Sequence, residues 1–253
     1  MRENLGRDLR SVEANRRFFG TTQIEQSTDR VFEQVRRARI AGADAQYAMV
    51  RQHFGESKKL SLGEMAPGTG VYLPQKDGGE REFIVLGRNT TNYIGLDDSA
   101  VFLIQATIHE RMRFAPQGDF YYEDTEILEW LNNEWIEILD PKLYEQVIMA
   151  TIPVDDRERL VSSFIPSVQE LGVLAANNIA PLGQRISHWT TAQERIAVDN
   201  TGTPVQWWLR NQNTNNRGQA AIVTETGAIS SRSIGNSCGV RPVIILPADY
   251  MGG

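Results

Sequence analysis

The sequence predicts an α+β protein, on three observations. Short β-prone runs separated by Gly turns occupy residues 71–104, and helical periodicity takes over between residues 125 and 147. A second block of β-prone runs then fills residues 207–247. Strands, helices and strands again is the order of an α+β domain, not the alternation that builds a parallel α/β sheet. A segment of helical pattern precedes them, so two parts are expected: a helical 1–58 and a mixed domain over 59–253.

Leu5, Leu9 and Val12 fall at i, i+4 and i+7, the apolar stripe of an amphipathic helix that Phe18-Phe19-Gly20 ends. Ser27 or Thr28 can cap a second helix, with Asp29 favouring its first turn. Val31, Val35 and Ala38 continue its stripe, and Arg36, Arg37 and Arg39 fill the other side. Gly42 interrupts the pattern before Ala45–Phe54. Two such helices bury little area alone, so they must pack on something else. They either form a hairpin on their own chain or pair with another subunit. The second reading makes Leu5, Leu9, Val12, Val31, Val35 and the three arginines a partner-binding face of a homo-oligomer.

Gly55–Ser61 reads as a linker. Val71-Tyr72-Leu73 and Glu82–Leu86 are strand candidates around the turn Lys76-Asp77-Gly78-Gly79, and Asn92–Leu96 and Ala100–Ile104 extend the meander. Thr125 is placed to cap a helix whose stripe runs through Leu128, Leu131, Trp135 and Ile138. Pro141 suits the first position of a second helix through Leu143, Tyr144 and Val147. Val168–Leu174 suggests a short helix, Ser187–Val198 is mixed, and Asn200–Pro204 is a loop.

The closing stretch holds the most information. Trp207-Trp208-Leu209-Arg210 opens it, and the polar loop Asn211–Gly218 follows. Ala220–Thr224 and Ala228–Ser231 form a hairpin around Glu225-Thr226-Gly227, where Gly supplies positive φ. Val240–Leu246 is apolar enough for a strand buried on both faces. Pro242 lacks an N–H, so this strand lies at a sheet edge or pairs fully only beyond it.

Composition bounds the function classes. Of 253 residues, 41% are hydrophobic and 23% charged, as in an ordinary globular protein. No apolar run approaches the roughly 18 residues that span a bilayer, and MRENLGRDLR has no apolar core of a secretion signal, so membrane insertion and export are not expected. Cys238 is the only cysteine, which leaves no intrachain disulfide and points to assembly in a reducing cytoplasm. Residues 1–59 carry twelve Lys/Arg against eight Asp/Glu, and the remainder fourteen against twenty-four. The halves are therefore +4 and −10, consistent with the total of −6. Acids interleaved among the early arginines argue against nucleic acid and for a solvated face or an acidic protein partner.

Candidate chemistry is sparse. Gly235-Asn236-Ser237-Cys238-Gly239 fits G-x-S-x-G, but that motif exposes its serine between a strand and a helix, and here an aliphatic strand with Pro follows. A turn is the simpler reading, with a hydrolase using Ser237 as the alternative. His53, His109 and His188 stand far apart, and His109-Glu110 lacks the second histidine of a zinc motif. No metal site and no cofactor is expected. Trp207 and Trp208 alternate sides on a strand, so one can be core and the other, Trp208, a surface platform, or both can be buried by the loop that follows. Arg210 and Arg241 suit a structural role on buried carbonyls or carboxylates. Asn211, Gln212, Asn213, Asn215, Asn216 and Arg217 are the candidate ligand-binding loop, rich in adaptable amides as paratopes are.

These residues also carry a resemblance. WWLR, a polar loop, a Gly-turned hairpin and then Gly239-Val240-Arg241-Pro242 before an aliphatic strand resemble the C-terminal signature of a bacterial and phage domain-of-unknown-function family. Leu62–Gly68, Ile127–Glu134, Ile152-Pro153 and Phe164–Glu170 resemble its earlier segments, for a coverage of about 60–249. The resemblance implies a C-type-lectin-like fold and a place in phage or prophage structural proteins. The calcium-holding tripeptides of sugar-binding lectins do not occur, and the carboxylate pairs Asp97-Asp98 and Asp155-Asp156 fall on expected turns. A formylglycine-generating activity would need two cysteines. The expectation is therefore a non-enzymatic virion protein, assembled in the host cytoplasm. It would attach to other virion proteins through its N-terminal helices and display a lectin-like domain toward a host-surface glycan or protein. A purely architectural capsid or tail part is the alternative.

Overall fold

Lys76-Asp77-Gly78-Gly79 reverses the chain as its composition demands, with Gly78 at φ +85 and the Asp77 carboxylate accepting from the Gly79 amide at 2.9 Å. In this computed structural model, which describes residues 60–89, 96, 99–116, 121–154, 156–173, 178–186 and 189–251, that turn joins β1 (Gly70–Pro74) to β2 (Glu80–Arg88). β2 pairs directly with β3 (Ala100–Gln105), every residue of which is buried. Leu96 is not in a strand, and the rest of the strand expected over Asn92–Leu96 lies outside the described residues. The helices expected before residue 59, with Leu5, Leu9, Val12, Val31, Val35, Arg36, Arg37 and Arg39, also lie outside them.

Two short strands follow, β4 (Thr107–Ile108) and β5 (Arg111–Arg113), and then the helices. α1 (Glu126–Asn133) starts where Thr125 Oγ1 accepts from the Leu128 amide at 3.2 Å. The helix does not run on to Ile138 as its stripe suggests. Trp135–Ile138 tightens into a 3-10 turn, which carries the consecutive residues Trp135 and Ile136 into the core together. α2 (Pro141–Tyr144) opens on Pro141, with the Asp140 carboxylate accepting from the Lys142 amide, and is one turn long.

β6 (Ala150–Val154) and β7 (Arg157–Val161) form a two-stranded antiparallel hairpin. The helix expected over Val168–Leu174 is replaced by turns as far as the described residues extend. Ser167 accepts from the Glu170 amide and Glu170 from the Ser167 amide, while Gly172, at φ +81, turns the chain away. α3 (Ala192–Arg195), β8 (Ala197–Asp199) and β9 (Pro204–Val205) resolve the mixed stretch. The last five strands are β10 (Trp207–Gln212), β11 (Gln219–Val223), β12 (Ile229–Ser233), β13 (Ser237–Gly239) and β14 (Val243–Pro247).

These strands form small antiparallel and mixed sheets with few helices, an α+β arrangement. One sheet has the order β1-β2-β3-β14, another β12-β11-β10-β13-β5, and a third β4-β8-β9. β14 begins after Pro242 and lies at the edge of its sheet, which satisfies both expectations for that proline. The Pro242 carbonyl still accepts from the Gln105 amide at 2.9 Å. One continuous apolar cluster runs from Leu62 to Leu246 and takes in Trp135, Trp189, Trp207 and Trp208.

Candidate ligand-binding groove

β10 is the central strand of the five-stranded sheet, and five of its six residues are buried. The indole of Trp207 donates to the Arg195 carbonyl at 3.1 Å. Trp208, expected as a surface platform, is 0% exposed. Its indole donates to the Met112 carbonyl at 2.9 Å and meets the Phe114 ring edge-on at 5.2 Å. Alternation along the strand sends the two tryptophans to opposite faces, but both faces of a central strand are covered here, so neither reaches solvent.

Arg210 and Arg241 hold the strand in place. Both oxygens of the fully buried Glu170 carboxylate accept from the Arg210 guanidinium, which also donates to the carbonyls of Pro153 (3.1 Å) and Ile165 (3.0 Å). The guanidinium lies 5.4 Å from the Phe164 ring centre. Beside this pair the Tyr122 hydroxyl accepts from the Ile165 amide at 3.1 Å, and burial pushes its pKa well above the ordinary value of 10.0. Among the described residues Arg241 has no such carboxylate. It stacks between Trp189 (5.0 Å) and Trp207 (5.2 Å), donates to the Gln105 carbonyl at 2.7 Å, and is pushed down to about 9 by burial.

Past Arg210 the strand comes to the surface, and the candidate loop divides. Asn211 is buried. Its Oδ1 accepts from the Val168 amide (2.8 Å), and its Nδ2 donates to the Ala180 carbonyl (2.9 Å) and to Gln169 Oε1 (3.1 Å). Asn213 is also buried. Its Oδ1 accepts from the amides of Asn215 (3.0 Å) and Asn216 (3.2 Å), and its Nδ2 donates to Gln219 and Ser231. Asn216 Oδ1 accepts from the Gly218 amide at 3.0 Å, and Asn215 Nδ2 donates to Asn178 Oδ1 at 2.7 Å. Of the expected recognition residues, Asn211 and Asn213 are thus engaged within the fold. Asn213 builds the loop and Asn211 ties it to Ala180, because a polar group buried this deeply needs an internal partner.

Gln212 and Arg217, with Asn211, line a groove of about 330 Å3. Ala180-Pro181-Leu182 forms its apolar wall, Tyr121 and Asp156 its far rim, and Asn211 its floor. The floor and wall are set by internal bonds: the Leu182 amide donates to Gln169 Oε1 at 2.8 Å, and Ser167 Oγ donates to the Leu182 carbonyl at 2.6 Å. The Tyr121 ring, 37% exposed, is steadied by the Arg157 guanidinium at 5.2 Å. Tyr121, Asp156 and the 180–182 wall are groove residues that sequence reasoning missed. Tyr121 adjoins the buried Tyr122, and no local pattern tells which of the two faces out.

The other candidates do not assemble with the groove. Ser237 opens β13, exposed and paired with Arg113, with a strand after it and not the helix of a nucleophile elbow. Cys238 beside it is buried, and its thiol is pushed up to about 11 by desolvation. His109 is exposed, with a pKa lowered by partial burial and by the nearby Arg81. His53, His188, Asp97, Asp98 and Asp155 lie outside the described residues. Among the described residues no three His, Cys, Asp or Glu side chains converge as a metal site requires, and no helix is long and apolar enough to cross a membrane.

Residues 98–248, from just before β3 through the last strand and including the β10 floor of the groove, match a family model described as Domain of unknown function (DUF6273). The chain belongs to this family. No curated protein and no solved structure matches it. The DUF6273 match leaves β1 and β2 outside, although they share a sheet with β3 and β14.

Proposed function

We propose that this chain is a non-enzymatic component of a bacteriophage particle, with a C-type-lectin-like display domain that binds a host-surface saccharide in the groove beside β10. The observation that carries the reading is the preorganised groove. Its floor, the Asn211 side chain, is already saturated by internal hydrogen bonds. An apolar wall faces a rim carrying an aromatic ring, an amide, a guanidinium and a carboxylate. Mixed apolar and hydrogen-bonding linings of this kind suit a ligand with a hydrocarbon face and a hydroxyl edge, and a rigid floor lowers the ordering cost of binding. The phage assignment rests on the resemblance of the WWLR and GVRP segments. It is also supported by the charge split between a cationic 1–59 and an acidic remainder. The cationic segment is assigned the attachment to other virion proteins.

The test is the full-length chain on an array of bacterial surface saccharides. Binding to at least one of them is expected, and Gln212→Ala and Arg217→Ala are each expected to weaken it by about tenfold, the worth of one charged or well-placed hydrogen bond. Binding to none would favour a purely architectural part. Hydrolysis of a saccharide that stops in Ser237→Ala would favour the enzyme reading.

A further inference from the structure

The β6–β7 hairpin presents an open strand edge. Among the described residues β7 pairs only with β6, and on β6 the Pro153 carbonyl accepts from buried Arg210. Four of the five β7 residues are exposed, and Leu160, at 61%, is the most exposed large apolar side chain among the described residues. Proteins usually guard such an edge with outward charges. Here two of the three charged residues of β7, Arg157 and Arg159, both pair with Glu123, whose side chain is 6% exposed, and Glu158 is exposed between them.

Across from β7 stands α1, and between them runs a groove of about 420 Å3. Asn132 closes one end. Its Oδ1 accepts from the amides of Ser162 (2.8 Å) and Ser163 (3.2 Å), and its Nδ2 donates to the Ser163 carbonyl (2.9 Å). Leu128, Leu160 and Val161 give the groove an apolar lining. Of the charged lining residues Glu123, Asp124, Glu129 and Arg159, Glu123 pairs with Arg159, and the exposed Asp124 and Glu129 give the rim an acidic excess.

We propose that this groove receives an extended peptide segment of a partner protein as a third strand of the β6–β7 sheet, and that the segment alternates apolar and basic side chains. Alternate N–H and C=O groups of β7 are not used in pairing with β6 and lie on its open edge, where an added strand would take main-chain hydrogen bonds from them. Side chains of the incoming strand then fall alternately to two faces, apolar ones against Leu128 and Leu160, basic ones toward Asp124 and Glu129. This surface is distinct from the saccharide groove, so either proposal can fail without the other.

The probe is a fluorescein-labelled heptapeptide, Lys-Val-Lys-Val-Lys-Val-Lys, titrated into the full-length chain by fluorescence anisotropy and followed by hydrogen exchange. It is expected to bind about tenfold more tightly than its Glu/Val counterpart, to slow exchange of the Arg157–Val161 amides, and to lose that preference in the Asp124→Asn/Glu129→Gln double variant. A version with proline at the central position, which can neither donate nor continue a strand, is expected to bind about tenfold more weakly. Unchanged exchange across Arg157–Val161, or equal binding of the proline peptide, would overturn the proposal. Leu160→Asn changes an exposed side chain and should keep the fold while weakening binding, so an undiminished affinity there would also count against it.

Discussion

Glu170 and Arg210 show what a single pair of residues can decide. Both are fully buried, and each is the other's counter-charge. Glu170→Gln keeps the shape but strands a guanidinium in the core. We expect it to cost about 3–5 kcal/mol in urea unfolding, the range for breaking a buried pair by neutralising one partner. Replacing both residues by apolar ones should recover only part of that loss, since the carbonyls of Pro153 and Ile165 would lose their donor. The structural role of Arg210 was legible in the sequence, because an arginine inside an apolar run needs carbonyls or carboxylates. Its partner was not. Glu170 sits forty positions away in what reads locally as a helix, and that carboxylate helps hold turns there instead. The internal bonds of Asn211 and Asn213 were not legible for the converse reason: local composition marks a residue as polar and says nothing of whether its partners lie in solvent or in the fold.

At the scale of elements, the well-read features were those set by neighbours in the chain. The Thr125 cap, the Pro141 start and the hairpin around Gly227 each follow from a backbone requirement that one residue type meets. Gly227 has φ +78, and a Cβ there would lie 1.8 Å from the Ala192 carbonyl oxygen, so the hairpin tip is also packed against the start of α3. Gly227→Ala therefore combines left-handed strain with a backbone collision. We expect more than about 1 kcal/mol of destabilisation by chemical denaturation, accompanied by faster exchange in β11 and β12. The 3-10 turn after α1 and the turns after Ser167 were not legible, because tertiary burial and long-range pairing override the local period there.

For the whole molecule, the strand–helix–strand order was enough for α+β, whereas the sheet orders were not. β3 and β14 are neighbours, and so are β5 and β13, pairings that no window of sequence reports. The groove proposed to bind a saccharide is a product of the same problem, lined by residues near 121, 156, 181 and 212. The described core draws on residues from Leu62 onward. A chain beginning at Lys59 is accordingly expected to unfold in one cooperative transition, measured by near-UV circular dichroism, and to keep whatever saccharide binding the 253-residue chain shows on the same array. Loss of cooperative melting would show that the division at Lys58 is misplaced.

The pairing of β14 with β3 also bears on how the protein is made. On the ribosome, β3 is synthesised some 140 residues before the strand that covers its open side. Until then β3, every residue of which is buried in the finished fold, has one bare edge, and closing so long a loop is slow. Until β14 has been made and has paired, the backbone groups along that edge must be satisfied by water or by provisional contacts.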